Sequence, residues 1–171
     1  MTSRFLELIA KTKAYLFYIE NHYANVQQAW TTIKDKCSDM SFVKNNGTRH
    51  ALDAVIREHD ISKLDLEEFI PYRKQFYPAS FEDANDNEID ARNAWAHHKM
   101  VNTHHWENWT GRSEHWGQEL ACVHMVADWV AMSYAKGGTA KEYYEGHKDK
   151  IQLPDWAVEL IYEIFRRLED E

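Results

Sequence analysis

The sequence predicts an all-α protein built as a single domain. Apolar residues recur at three- and four-residue spacing along most of the chain, which is the period of an amphipathic helix. No stretch alternates between apolar and polar residues for long enough to predict a β-strand. The chain has 171 residues, which suits one domain with a substantial core. We therefore expect residues 1–171 to form one domain of about seven or eight helices.

The helices are expected in separate segments. The predicted helices cover about residues 5–19, 23–36, 50–60, 88–101, 118–135 and 154–168, and two more begin near residues 66 and 139. The first two either meet near His22 or continue as one helix. The segments at 38–48, 76–87 and 102–117 are predicted to be loops or irregular structure, because they contain Gly, Pro, Asn or clusters of His and Trp.

Short sequence signals indicate helix ends near the middle of the chain. Ser62 and Asp65 fit a capping box, so the next helix is expected to start there. His59-Asp60 would then lie in the last turn of the helix before it. Pro71 is expected to kink or end the helix that follows.

Three further signals lie in the C-terminal part of the chain. Gly137-Gly138 predicts the end of a long apolar helix, because glycine readily adopts the left-handed conformation found there. Thr139 and Glu142 fit a second capping box. Pro154 suits the first turn of the last helix.

Composition and charge limit the classes of partner. Hydrophobic residues make up 44% of the chain and aromatic residues 13%, which is typical of a folded protein. The formal net charge of -8 repels phosphate backbones, so we expect no duplex nucleic acid as the main partner. A small anionic substrate is compatible with this charge if a metal ion supplies local positive charge. The sequence leaves a homo-oligomer open.

The cysteines and the absence of a hydrophobic span indicate the compartment. Cys37 and Cys122 are far apart in sequence, which favours free, buried thiols in a reducing cytoplasm. No stretch approaches the length of a membrane span, and the first residues lack the layout of a secretion signal. We therefore expect a cytoplasmic protein with no membrane partner.

Histidine and aspartate are the candidate site residues. Four of the ten histidines are clustered in one segment: His97, His98, His104 and His105. A neutral imidazole and a carboxylate side by side, as in His59-Asp60, can both reach one cation. Asp128 lies among apolar residues, where a carboxylate needs a partner because burying a lone charge is costly. A cation held with His22, His59 and Asp60 would be such a partner.

These residues resemble a known family pattern. His22, His59-Asp60 and Asp128 are similar to the H…HD…D signature of the HD-domain phosphohydrolases, which are helical. Longer motifs resemble more closely a phage and bacterial family of unknown function. They are His-Asp-x-Ser-Lys at 59–63, Glu-Phe-x-x-Tyr at 68–72, Ala-Trp-x-x-His-x-x-x-Asn-x-His-His-Trp at 94–106 and Asp-Trp-x-Ala-Met at 128–132. The resemblance covers about residues 21–151.

The resemblance implies a centre of one or two divalent metal ions. Its implied ligands are His22, His59, Asp60 and Asp128 for the first ion, and Asp60, His98 and one of His104 or His105 for a second. Asp60 would bridge the two ions. The metal would be Mn, Fe, Co, Ni, Zn or Mg, because mixed imidazole and carboxylate ligands do not select strongly among such ions. His124 lies one helical turn before Asp128 and is a candidate to orient that carboxylate.

The resemblance also implies a reaction, the hydrolysis of a phosphate ester or anhydride of a nucleotide or a related small molecule. Asp60 and Lys63 are the expected catalytic residues. Lys63, Asn102 and Arg73 are expected to contact the phosphorylated substrate. Glu67-Glu68 is expected to form a solvated helix face. Two alternatives stay open: a di-iron oxygenase of the same fold, and a phage protein that sequesters a nucleotide in the host cytoplasm without turnover.

Overall fold

The computed structural model describes residues 3–83, 85–111 and 115–169. Every regular element in these ranges is helical, so the predicted all-α fold class is confirmed. The α-helices there are α1 (Arg4–Lys36), α2 (Ser41–Lys44), α3 (Asn46–Arg57), α4 (Leu66–Phe76), α5 (Glu88–Val101), α6 (Trp106–Trp109), α7 (His115–Lys136), α8 (Ala140–His147) and α9 (Asp155–Glu169). Two 3-10 helices, Ile61–Leu64 and Asn85–Asn87, precede α4 and α5.

The chain forms two compact units. The first unit contains the residues up to Asn21 together with Asp60–Asn102. The second unit contains His22–His59 together with the residues from Thr103 onward. The chain therefore passes between the units three times, and the expectation of a single domain over residues 1–171 stays a prediction.

The larger hydrophobic core belongs to the second unit. It is formed by buried apolar faces of α3, α7, α9 and the C-terminal half of α1, where small and branched side chains recur at helical spacing. The indole Nε1 of Trp30 donates a hydrogen bond to Oδ1 of Asp53 at 2.6 Å, which ties α1 to α3. Cys37 and Cys122 lie buried in this core as free thiols, as expected from the sequence.

The first unit has a smaller core that is rich in tyrosine. Tyr15 of α1, Tyr72 of α4 and Ala94 of α5 are buried there, and Phe69 and Tyr77 pack against them. The centroid of the Tyr15 ring lies 5.3 Å from that of Phe69 and 5.8 Å from that of Tyr77. Such tilted aromatic contacts stabilise the packing of α1 on α4 within this unit.

The structure of the first helix decides whether the two predicted segments meet near His22 or continue as one helix. α1 is one continuous helix of 33 residues, so the two predicted segments run on through His22. Its sequence contains no glycine or proline that would interrupt it. His22 therefore lies inside one continuous helix and not between two helices.

The prediction of a capping box at Ser62 and Asp65 is wrong. Ser62 lies inside the 3-10 helix Ile61–Leu64, and Asp65 is the N-cap residue of α4 without a side-chain cap hydrogen bond. The Ser62 hydroxyl accepts a hydrogen bond from Nδ2 of Asn102 at 2.7 Å. Asn102 lies 40 residues from Ser62 in sequence, and this hydrogen bond takes the place of the expected local cap.

Other boundaries differ from expectation because short helices form inside predicted loops. The 38–48 segment contains α2 and the start of α3, and the 102–117 segment contains α6 and the start of α7. Residues 84 and 112–114 of the predicted irregular segments lie outside the described ranges.

α4 continues through Pro71 to Phe76, and the carbonyl oxygen of Pro71 accepts a hydrogen bond from Nδ2 of Asn87 at 2.8 Å.

The predicted helix ends near residues 137–155 are confirmed. Gly137 and Gly138 have φ angles of 81° and 76°, the left-handed region that glycine adopts without steric cost. Thr139 and Glu142 form both hydrogen bonds of the capping box that starts α8. α9 begins at Asp155, directly after Pro154. Within the described ranges, none of the helices combines the length and the apolar character needed to cross a membrane.

Candidate metal centre

The second unit contains a group of histidine and aspartate side chains, called here the His/Asp cluster. Its members are His22, His59, His104, His124 and Asp128. α1 supplies His22, and α7 supplies His124 and Asp128 on successive turns. His59 lies in the turn after α3, and His104 lies shortly before α6. The four histidines are buried, whereas the Asp128 side chain is 18% exposed.

Three ligand-type atoms of the cluster converge. The Nε2 atom of His22 lies 3.0 Å from Nε2 of His59 and 3.3 Å from Oδ1 of Asp128. The Nε2 atom of His59 lies 3.7 Å from the same oxygen. Two imidazole nitrogens and one carboxylate oxygen therefore face a common point.

These separations fit a shared cation. Ligand atoms bound to one ion at about 2.1 Å lie about 3.0–3.4 Å apart at octahedral and tetrahedral angles. The two contacts made by His22 fall in this range, and the third distance is slightly longer. Two of the three separations among His22, His59 and Asp128 thus match the spacing of ligands around one ion, and the third is longer.

The charge state of Asp128 suits the same role. Burial on its own raises the pKa of this carboxyl group. The close contact with His22 and the nearby His59 and His104 rings outweigh burial and hold the pKa of Asp128 well below its usual range. Asp128 is therefore an ionised carboxylate near neutral pH, the form that binds a cation.

The remaining histidines surround His59. The Nδ1 atom of His59 lies 2.9 Å from Nε2 of His124. The centroid of the His104 ring lies 4.6 Å from that of His59 and 4.7 Å from that of His124. His105 follows with its ring centroid 4.4 Å from that of His104, and it is half-buried. Ligand-type atoms of His59, His104 and His124 all lie within 4.8 Å of one another.

The first unit holds a second polar group around Asp60. Asp60 adopts a left-handed backbone with φ 57°, which aspartate tolerates better than most residues. Its Oδ2 atom binds Nζ of Lys63 at 2.6 Å, and its Oδ1 atom lies 3.3 Å from Nε2 of His98. Burial alone lowers the pKa of His98, but hydrogen bonds to Asp60 and Glu68 outweigh it and raise the pKa of His98 to about 8.

Glu68 is a polar residue whose setting the sequence prediction misjudged. It was expected on a solvated helix face, but its side chain has 0% exposure. Its Oε1 atom lies 2.8 Å from Nδ1 of His97, and its Oε2 atom lies 2.8 Å from Nδ1 of His98. The expectation fails because α5 packs on this face of α4 and brings both histidines to the carboxylate. The adjacent His97-His98 pair is a sequence signal that could have indicated a buried acceptor such as Glu68, since buried histidine N–H groups need acceptors.

The expected substrate residues all lie in the first unit. Asn102 is buried and donates to the Ser62 hydroxyl. Arg73 is buried, and both terminal nitrogens of its guanidinium bind the carboxylate of Glu82. Lys63 binds Asp60 and lies 5.7 Å from the centroid of the Tyr18 ring. Contacts of Lys63, Asn102 and Arg73 with a substrate stay predictions.

The structure thus sorts the expected ligands into two groups. His22, His59, His104 and Asp128 lie in the His/Asp cluster of the second unit, together with His124 and the adjoining His105. Asp60 and His98 lie together in the first unit. A centre that combines the two groups, with Asp60 as a bridge, stays a prediction.

The fold and the His/Asp cluster define an all-α protein with a buried candidate metal centre. The chain belongs to the Family of unknown function (DUF5662), whose model matches residues 11–167. Neither the curated proteins nor the solved structures yielded a significant match. The family description names no activity, so the chemistry must be argued from the site itself.

Proposed function

We propose that this protein is a metal-dependent phosphohydrolase that acts on a nucleotide or a related phosphate ester. The observation that carries the proposal is the convergence of Nε2 of His22, Nε2 of His59 and Oδ1 of Asp128. Two histidines and one carboxylate are the protein ligands of several catalytic metal sites, where the remaining positions admit water and substrate.

The chain's own groups provide the binding site for the cation. His22, fixed inside α1, and His59, fixed after α3, would each present Nε2 to it. Asp128 would add its ionised carboxylate from α7. When bound, a divalent cation supplies Lewis acidity, which activates water and polarises a phosphoryl oxygen near neutral pH.

Charge favours an anionic substrate once the site is loaded. Two neutral imidazoles and one carboxylate carry one negative charge, so a divalent cation leaves the site with one positive charge. The chain as a whole has a formal net charge of -8 and repels phosphate groups. The metal-loaded centre would therefore be a local positive charge that attracts a phosphate group. Asp128 is the partly exposed member of the cluster, and we expect a small substrate to approach the site from its side.

The same ligand set supports one alternative, an iron-dependent oxygenase. Two histidines and one carboxylate also bind the iron of many non-haem oxygenases. The preference for hydrolysis rests on the resemblance of His22, His59-Asp60 and Asp128 to the phosphohydrolase signature. Iron content and oxygen uptake separate the two reactions.

The test uses the purified full chain, loaded separately with Mn²⁺, Co²⁺, Fe²⁺, Ni²⁺ or Zn²⁺. A panel of mono-, di- and triphosphate and cyclic nucleotides is incubated with each form, and the release of phosphate or nucleoside is measured. We expect release with at least one metal, and its loss in Asp128→Asn but not in His50→Gln, a control on the exposed histidine of α3.

Three results would speak against hydrolysis. No release with any metal would remove the proposal. Oxygen uptake with the iron form alone would replace it with the oxygenase. A nucleotide that co-purifies unaltered and is never turned over would replace it with a binding function.

A further inference from the structure

The ring of His59 is engaged at both nitrogens. Its Nε2 atom lies 3.0 Å from Nε2 of His22, and its Nδ1 atom lies 2.9 Å from Nε2 of His124. His59 is 5% exposed and His124 is 4% exposed, so water is largely excluded from both rings. The hydrogen bond between His59 and His124 therefore requires that one of these two nitrogens carries a proton and the other accepts it.

Counting protons defines the arrangement that a bound cation requires. A neutral imidazole carries one N–H, and the other nitrogen has a lone pair. If Nε2 of His59 faces a cation, the proton of His59 must be on Nδ1. That N–H then donates to Nε2 of His124, whose own proton must be on its Nδ1.

We propose that His124 is the positioning residue of the metal centre. By accepting the hydrogen bond from Nδ1–H of His59, it fixes the tautomer in which the Nε2 lone pair of His59 faces His22 and Asp128. The inference rests on the proposed metal centre and adds a residue to it. It also differs from the expectation that His124 orients Asp128.

Burial explains why an acceptor is needed there. A buried N–H without an acceptor costs about 1–3 kcal/mol, and the cost would favour the tautomer that turns Nε2 of His59 into a donor. His124 and Asp128 lie on successive turns of α7, so one rigid helix carries both the carboxylate and the acceptor. Movement of α7 would affect the two groups together.

The choice of an imidazole as acceptor has a consequence for charge. Histidine ligands commonly donate their second N–H to a carboxylate, a carbonyl or water. A carboxylate in place of His124 would put a second negative charge beside Asp128. A neutral imidazole keeps the loaded centre at one positive charge, which suits the binding of an anion.

The test compares three variants of the full chain with the wild type. His124→Leu removes the acceptor, His124→Gln keeps a carbonyl acceptor, and His50→Gln is an exposed control. Affinities for Co²⁺ and Zn²⁺ are measured by competition with a chromophoric chelator, and the Co²⁺ absorption spectrum reports the ligand geometry. Long-range ¹H–¹⁵N spectra of the metal-free protein report the tautomer of His59.

We expect His124→Leu to lower the metal affinity by about 10–100-fold and to alter the Co²⁺ spectrum. His124→Gln should recover most of the affinity, and His50→Gln should match the wild type. The His59 ring of the wild type should carry its proton on Nδ1, and this preference should be reduced in His124→Leu. If His124→Leu does not fold, the wild-type tautomer and His124→Gln decide the question.

The contrary results are distinct. Wild-type protein that binds no ion would overturn both the metal centre and this inference. Wild-type affinity in both His124 variants, or a His59 proton on Nε2, would overturn the inference and leave the metal centre standing. Two ions per wild-type chain and one in His124→Leu, bound with unchanged affinity, would make His124 a ligand and overturn its positioning role.

Discussion

The Nε2 atoms of His22 and His59 face each other at 3.0 Å, although 37 residues separate them in sequence. His22 also approaches Asp128, whereas His59 contacts His124 and His104 as well. The two proposed ligands therefore have unequal structural roles. His59 is the residue on which the contacts of the His/Asp cluster depend most.

This difference predicts unequal effects of substitution. His22→Ala and His59→Ala should each abolish tight metal binding, but His59→Ala should also lower the free energy of unfolding of the metal-free protein, by about 1–3 kcal/mol more than His22→Ala. The reason is that His59→Ala removes contacts with three buried rings, those of His22, His124 and His104, whereas His22→Ala removes contacts with His59 and Asp128. Urea unfolding of the chelator-treated variants measures the difference, and a larger loss in His22→Ala would contradict it.

Glu68 should be essential for the stability of the first unit. Glu68→Gln places an amide N–H₂ next to one of the two Nδ1 atoms that the carboxylate now binds. We expect it to lower the free energy of unfolding by about 2–4 kcal/mol. Glu67→Gln is the matched control, because Glu67 is the exposed neighbour on the same helix, and it should stay within about 0.5 kcal/mol of the wild type. Equal effects of the two substitutions in thermal or urea unfolding would contradict this account.

The Arg73–Glu82 ion pair should make stability depend on pH in the acid range. Hydrogen bonds from Arg73 lower the pKa of Glu82 from 4.5 to about 2. A lowered pKa in the folded state means that the pair stabilises fully above about pH 4.5 and loses its contribution as pH falls toward about 2. Glu82→Gln should therefore cost about 1–3 kcal/mol at neutral pH, and its difference from the wild type should shrink below pH 4.5.

Urea unfolding of both proteins at several pH values between 7 and 3 checks this prediction. A difference between wild type and Glu82→Gln that stays constant over this range would show that the carboxylate charge of Glu82 does not stabilise the fold.

The capping box at the start of α8 gives a local test of the fold. The Thr139 hydroxyl accepts from the backbone N–H of Glu142 at 3.1 Å, and the Glu142 carboxylate accepts from the backbone N–H of Thr139 at 2.8 Å. Thr139→Ala should destabilise by about 0.5–2 kcal/mol, whereas Thr139→Ser should retain most of the stability. Thermal unfolding measures both, and a Thr139→Ala variant as stable as Thr139→Ser would contradict the role of the cap.

Helices and their ends could be predicted where the signal is local. Thr139, Glu142 and the Gly137-Gly138 pair act within a few residues of each other, and the structure confirms the helix ends that they predict. Ser62 carries the same kind of local signal, but its hydroxyl binds Asn102 and not the backbone of α4. A distant partner replaced the cap, and no pattern around Ser62 shows that partner.

The site could be predicted in part for the same reason. His22, His59, Asp60 and Asp128 were expected together on the resemblance of their pattern. The structure brings ligand atoms of His22, His59 and Asp128 within 3.7 Å of one another, and the part of Asp60 in this site stays a prediction. The hydrogen bond between His59 and His124 joins residues that lie 65 positions apart, so no periodic pattern in the sequence predicts it. Glu68 was misjudged because its helix position looks exposed until α5 is packed against it.

The most direct test of the proposed metal centre is the metal content of the full chain, purified without chelator and also after reloading with Zn²⁺ or Mn²⁺. Elemental analysis should find at least one tightly held divalent ion per wild-type chain. The ion should be lost in Asp128→Asn and retained in His50→Gln. A folded wild-type protein that holds no ion, or an Asp128→Asn variant that holds it as tightly as the wild type, would contradict the centre formed by His22, His59 and Asp128.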